Sequence, residues 1–294
     1  MGHKSGFVNI LGNPNVGKST IMNALVGEKL SIITPKVQTT RHRILGILNG
    51  EDFQIVFSDT PGILKPRYGL QETMMGFVNT ALSDADIIVY VTDTVEHPET
   101  ESEYIGKIRD AGIPLMVVIN KIDLSAQNEL ELLVDKWDKI FPGSLIVPVS
   151  ALTGFNIPGL LKAILDKLPE GEPFFPKDQL TDRYDRFFAS EIIREKILLN
   201  YQKEIPYSVE VEIDTFEEEA KINRIRAVIY VERDSQKGII IGHQGQALKR
   251  VGMEARLDME EFFQKKVFLQ LFVKVNKDWR DKDRSLGSFG YDME

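Results

Sequence analysis

The sequence predicts an α/β fold in two domains: a mostly parallel sheet with helices on both faces, then a smaller α+β unit. Three observations carry this. Short apolar runs alternate with helical stretches through the first half, a glycine-rich G-x-x-x-x-G-K-[ST] run stands at the first strand-to-helix junction, and the element order changes after a proline-rich break. At 294 residues the chain is long enough to bury a core in each domain.

The elements follow in order. Phe7 to Leu11 reads as the first strand, with a helix from Lys18. His42 to Phe57, turning at Asn49-Gly50, reads as an antiparallel hairpin at the sheet edge, its return leg running from Phe53 to Ser58. A helix from Gln71, a strand Ile87 to Thr92 and a helix from Glu99 come next. Leu115 to Asn120, an amphipathic helix Glu129 to Ile140, Leu145 to Val149 and a helix Ile157 to Leu168 complete the alternation. Continuous apolar strands of this kind are buried on both faces, as in parallel sheets. Pro169 to Pro176 stops regular structure, which delimits a first domain at 1–168 and a linker at 169–182. Beyond it, helix Arg183 to Tyr201, strands Ser208 to Thr215 and Ile222 to Glu232, a glycine-bearing turn in helical sequence, a helix to Phe263 and strand Val267 to Val275 make a second domain at 183–277. The charge-alternating stretch Asp278 to Arg284 opens an expected solvated tail at 278–294, the Glu217 to Glu219 run reads as a solvated hairpin loop, and Trp137 as core.

Composition narrows the function. With 36 basic against 44 acidic residues the net charge is −8, so a uniformly basic nucleic-acid coat is excluded. The chain has no cysteine, which excludes disulfides, a thiolate nucleophile and cysteine-held zinc or iron–sulfur; its four histidines lack ligand spacing, so His42 and His97 get no chemical role and any metal should be a hard, oxygen-bound cation. Apolar runs such as Ile87 to Val91 fall far short of the roughly 20 residues of a membrane span. With no signal-peptide or myristoylation pattern at the start, the expected location is cytoplasmic.

Three motifs carry chemistry. Gly12-Asn13-Pro14-Asn15-Val16-Gly17-Lys18-Ser19 matches the P-loop, with Thr20 following it. Its backbone N–H groups and the helix N-terminus face phosphates, Lys18 reaches toward the β- and γ-phosphates, and Ser19 offers an oxygen to Mg²⁺. Asp59-Thr60-Pro61-Gly62 follows a strand, so Asp59 can hold Mg²⁺ through water and Gly62 can turn its N–H to the γ-phosphate. Asn120-Lys121-Ile122-Asp123 addresses the base: the Asp123 carboxylate accepts from guanine N1–H and its 2-amino group, which adenine lacks. Asn120 ties the loop together, Lys121 lies along the base, and Ser150-Ala151 offers a backbone N–H to guanine O6.

Together these residues resemble a small GTPase domain over the first 168 residues, and Gln38-Thr39-Thr40-Arg41 resembles its first switch. That resemblance implies a threonine closing on Mg²⁺ and the γ-phosphate, Thr40 as first candidate and Thr39 as second. Ile63 stands where signalling GTPases carry a water-orienting glutamine, which resembles the group with a hydrophobic residue there, some members of which recruit K⁺ through the P-loop asparagine, here Asn15. Slow turnover resting on Lys18, Asn15, Thr40 and Gly62, with GTP/GDP, Mg²⁺ and optionally K⁺ as ligands, is the expectation.

Gly242-His243-Gln244-Gly245 lies between helical stretches, in an element order that resembles a KH domain of bacterial topology, with Lys249 and Arg250 close by. The whole arrangement resembles the bacterial Era GTPase family over nearly the full chain. The resemblance implies binding to the 3′ end of 16S rRNA, a role in assembling the small (30S) ribosomal subunit and peripheral association with the inner membrane face; the expected state is a monomer. The competing reading is a regulatory GTP-binding module whose C-terminal domain docks a protein.

Overall fold

The computed structural model describes residues 2–96 and 103–291. Its contacts divide the chain into two compact units: one runs to Pro66 and resumes over Met74–Asp182, the other comprises Arg67–Thr73 and the chain from Arg183.

The first unit is the expected α/β domain. In chain order it holds β1 (Lys4–Leu11), α1 (Lys18–Val26), β2 (Ile44–Asn49), β3 (Phe53–Asp59), α2 (Gly69–Ser83), β4 (Ile87–Asp93), α3 (Glu103–Asp110), β5 (Leu115–Asn120), α4 (Gln127–Ile140), β6 (Leu145–Pro148) and α5 (Ile157–Lys167). The first turn of α2 falls in the other unit by contacts. Glu99, expected to start α3, lies outside the described residues, as does His97. The sheet order is β2-β3-β1-β4-β5-β6, with β2 antiparallel to β3 and every other pairing parallel. Successive crossovers leave β1 toward β3 on one side and β4 on the other, so a topological switch point opens at its carboxyl end. The strands are buried on both faces; on one, Trp137 of α4 packs on Tyr90 and Phe141 at ring distances of 5.4 and 6.1 Å.

Residues 169–182 are not a free linker. Gln54, on β3, donates from Nε2 to Phe175 O and accepts from the Phe174 and Phe175 N–H groups through Oε1, at 2.7–2.9 Å. Glu170 bridges Lys4, Thr181 bridges Gly46, and the Ile47 N–H donates to Leu180 O at 2.8 Å. Pro and Gly remove regular structure but leave backbone groups that still need partners, and Gln54, the start of β1 and the open edge of β2 supply them.

The second unit holds α6 (Asp185–Asn200), β7 (Glu210–Glu218), β8 (Ile222–Val231), α7 (Asp234–Ile241), α8 (Gln246–Phe263), β9 (Lys266–Val275) and α9 (Asp283–Ser288). β7 is antiparallel and β9 parallel to β8. Apolar side chains from one face of this sheet share a buried cluster with α6, α7 and α8. Glu217 and Glu218 end β7 rather than sitting in a loop, with Glu219 N–H closing the turn onto Ile222 O.

The expected solvated tail is also corrected. Trp279 is fully buried and donates to Ser208 O at 3.0 Å, Phe289 packs edge-on to it at 5.5 Å, and the Tyr291 hydroxyl donates to buried Glu210 at 2.6 Å. The alternating charges face out and conceal three aromatic anchors spaced through the segment. Truncating one should show: Trp279→Ala leaves a cavity and an unpaired carbonyl, and should lower the stability of the C-terminal unit by about 3–5 kcal/mol. Urea unfolding followed by circular dichroism measures this, and an unchanged midpoint would count against the packing described.

Candidate functional site

The site assembles at the carboxyl ends of β1, β3, β5 and β6, where loops leave the sheet around the switch point. β1 ends at Leu11, the glycine-rich loop follows, and α1 starts at Lys18, so the helix N-terminus and loop N–H groups border one cavity of about 440 Å³. Pro14, Asn15, Thr20 and Gly62 line it with Lys18 and Ser19. Gly17, at φ 97°, has to be glycine, because a Cβ there would stand 2.1 Å from Asn120 Nδ2.

Lys18 is buried, and its ammonium donates to Gly12 O (3.0 Å) and Asn13 O (2.8 Å). Burial pushes its pKa down to about 8, against the pull of Asp59 and Glu96. Three oxygens converge beside it: Ser19 Oγ donates to Asp59 Oδ2 at 2.6 Å, Thr40 Oγ1 does so at 3.4 Å, and the two hydroxyls are 2.9 Å apart. Asp59 is fully buried, its pKa is raised by that burial, and Oδ1 has no hydrogen-bond partner. This donor set suits a hard divalent cation completed by phosphate oxygens. Among the described residues no three His, Cys, Asp or Glu side chains gather as an alternative metal cluster.

The two switch threonines part company. Thr40 joins the Ser19–Asp59 cluster, whereas Thr39 donates to Lys36 O at 2.6 Å and lies 2.7 Å from the Thr34 hydroxyl. Asn15, at φ 65°, donates from Nδ2 to Pro35 O at 3.0 Å, linking loop and switch. Thr60 is fully buried and donates to Ile10 O at 2.7 Å, Pro61 leads into Gly62, and the Ile63 N–H donates to Gly12 O at 3.1 Å while its side chain packs on the core.

At the base end, Asn120 donates from Nδ2 to Val16 O (2.9 Å) and accepts from the Ala151 N–H (3.0 Å). That N–H is the one expected to face guanine O6, and the Ser150 N–H is bonded to Phe155 O. Ser150 Oγ instead donates to Asp123 Oδ1 at 2.5 Å, which orients an otherwise exposed carboxylate. Ile122 anchors that loop through its N–H to Val149 O. Lys121, expected along the base, holds Asn15 O and Asp93 Oδ2, each at 2.6 Å.

Two residues escaped the sequence reading. Asp93 ends β4 and pairs with Lys121; Glu96, three residues on, accepts from Thr92 at 2.9 Å and from Asn13, and burial raises its pKa. The signal was a Thr-Asp pair closing an apolar strand, the same grammar as Ser58-Asp59.

In the second unit Gly242 ends α7 at φ 70°, and His243 and Gln244 after it are at least partly open to solvent. Gly245, at φ 77°, starts α8, and a Cβ at that position would meet nothing within 4 Å. Lys249 and Arg250 are exposed on α8, and Arg250 pairs with Glu254 at 2.9 Å.

Comparison with known proteins agrees with this geometry. A family model described as a 50S ribosome-binding GTPase matches residues 7–121, and one described as a KH domain matches 204–280. GTPase Era of Syntrophus aciditrophicus (strain SB) is 47% identical over 292 residues, covering 98% of this chain and 95% of that protein. GTPase Era of Staphylococcus haemolyticus is 44% identical, covering 98% and 97%. A crystal structure of Era in complex with MgGDPNP and nucleotides 1506-1542 of 16S ribosomal RNA superposes with a TM-score of 0.95 at 42% identity, covering 99% of this chain and all of that one.

Lys18 gives the site a pH signature. A polyphosphate stabilises its charged form, so binding takes up a proton wherever the free lysine is neutral, above about pH 8. Affinity for GTP should hold steady below that pH and fall above it. Calorimetry at pH 9 in buffers of different ionisation heat should show uptake approaching one proton, absent in Lys18→Ala; no uptake in the unaltered chain would refute the assignment.

Proposed function

The chain belongs to the Era family of GTPases, and on that footing we propose that it is a GTP-hydrolysing switch that binds the 3′ end of 16S rRNA and acts in small-subunit assembly. The observation that carries the nucleotide half is the meeting of Lys18, Ser19, Thr40 and Asp59 in one largely buried cluster beside the cavity. Ser19, Thr40 and Asp59 would hold Mg²⁺, which when bound neutralises charge on the phosphate oxygens. Lys18 and the N–H groups of the loop place positive charge where negative charge builds up on the transferring phosphoryl group.

Hydrolysis gets little help at the attacking water. Ile63 offers no hydrogen-bonding group and is turned into the core, so rate rests on positioning and electrostatics and turnover is slow. Asn15, on the cavity wall, is the residue through which K⁺ would act. Asp123 selects guanine, held in orientation by Ser150.

For the RNA half, the support is the turn between α7 and α8. Gly242 and Gly245 leave the backbone bare and the N-terminus of α8 open, which lets a sugar–phosphate strand approach closely. Ribosomal RNA is the partner in the solved Era complex. Membrane association would be peripheral, since no described helix is long and apolar enough to cross a bilayer.

Two outcomes test the halves separately. Asp123→Asn removes a charged acceptor of two hydrogen bonds and should weaken GTP binding by about 3 kcal/mol or more, over a hundredfold, while binding of xanthosine triphosphate improves. Unchanged GTP affinity would overturn the base assignment. Gly245→Asp adds a carboxylate into open space at a φ that Asp tolerates, so it should cut affinity for the 16S rRNA fragment at least about tenfold with GTP hydrolysis intact. Wild-type RNA binding in that variant would favour a protein-docking C-terminal unit.

A further inference from the structure

The sheet of the second unit has a face that α6, α7 and α8 do not cover. Along β9, Val267, Leu269, Leu271 and Val273 turn to the helices, while the alternate residues Lys266, Phe268, Gln270, Phe272 and Lys274 are all exposed. Phe268 and Phe272 keep 45% and 42% of their surface open, unusual for the most apolar residues of a strand. β8 adds a cation to each: the Arg224 guanidinium lies 5.5 Å from the Phe268 ring centre and that of Arg226 lies 4.7 Å from the Phe272 ring. Among the described residues, the C-terminal segment shields the far end of this face, where Phe289 meets Tyr230 at 5.1 Å.

We propose that this strip is a second RNA surface, on which unpaired bases of a single strand stack. It rests on the reading above that the chain binds RNA, and adds a site on the sheet face opposite the helices that flank the Gly242–Gly245 turn. The rings sit four residues apart, about 13 Å along the strand, so each serves its own base. Lysines at both ends and arginines alongside provide for the phosphates, and flat rings accept any base without sequence preference. The arginines and Lys266 have carboxylate neighbours, Glu219 at 2.7 Å, Asp214 at 3.0 Å and Glu260 at 3.0 Å. Exposed pairs of this kind contribute little and yield readily to phosphate. The exposed row of β9 has no aliphatic side chain, so a protein segment seeking apolar burial finds less here than a nucleic-acid strand does.

The test uses the full chain and a labelled RNA of nucleotides 1506-1542 of 16S rRNA, the fragment in the solved Era complex. Because both rings are exposed, Phe268→Ala and Phe272→Ala should melt with the unaltered chain, and each should weaken RNA binding about tenfold. Phe268→Tyr with Phe272→Tyr keeps the stacking faces and should bind within about twofold. Ultraviolet cross-linking should join RNA to the β9 peptide. A folded double alanine variant with unaltered affinity, or cross-links confined to residues 242–250, overturns the proposal and leaves the strip to a protein partner. Gly245→Asp run in parallel separates the two readings: binding lost there alone sinks this one, and binding lost in the phenylalanine variants alone sinks the glycine-turn site.

Discussion

One carboxamide holds the nucleotide site together. Asn120 closes β5, yet its side chain reaches the P-loop through Val16 O and the base loop through the Ala151 N–H, so three loops on three strands share one rigid planar group. Gly17 exists to let it in. The side chain is buried, so an unmet donor or acceptor on it would cost about 1–3 kcal/mol, and both loops are held to their places by that cost. Lys121 adds a second tie from the same strand end, to Asn15 O, and Asp93 fixes its far side. The phosphate end and the base end are thereby one pre-organised unit.

That organisation explains what the sequence shows and what it conceals. Residues whose placement depends on chain-local spacing were legible: the loop from Gly12 to Ser19, Asp59 with Gly62, and Asn120 with Asp123 each stand at a strand end announced by apolar residues. The alternation of strand and helix gave the parallel sheet, and the Asn49-Gly50 turn its antiparallel edge, because both follow from periodicity. Roles that depend on a distant partner were not legible. The Ala151 N–H meets Asn120 Oδ1, a partner that no local spacing announces; Glu96 has no motif and acquires its place only when β4 and the P-loop come together. Polar composition misled in a consistent direction, since the segments 169–182 and 278–291 are rich in charge, proline or glycine and yet are pinned by Gln54, Trp279 and Tyr291.

The second unit puts two kinds of surface on one three-stranded sheet. Its helix-covered side leads to the bare backbone at Gly242 and Gly245, where the chain can come close to another backbone. Its other side carries rings and guanidinium groups, a chemistry suited to flat partners. An overall charge of −8 is compatible with both, because the acids collect on β7 and in the first unit while the cations of β8 and β9 stand in a row.

The strap over 169–182 fixes when the first unit can be finished. β1 leaves the ribosome well before residues 169–182 do, but its Lys4 pairs with Glu170, and the edge at Gly46 waits for Thr181. A nascent chain has to extend past Asp182 before this sheet loses its open edge, so until then β2 is a pairing template without its natural cover. Translation speed over the residues between Asn49 and Asp182 therefore contributes to how long that edge stays exposed to other nascent chains.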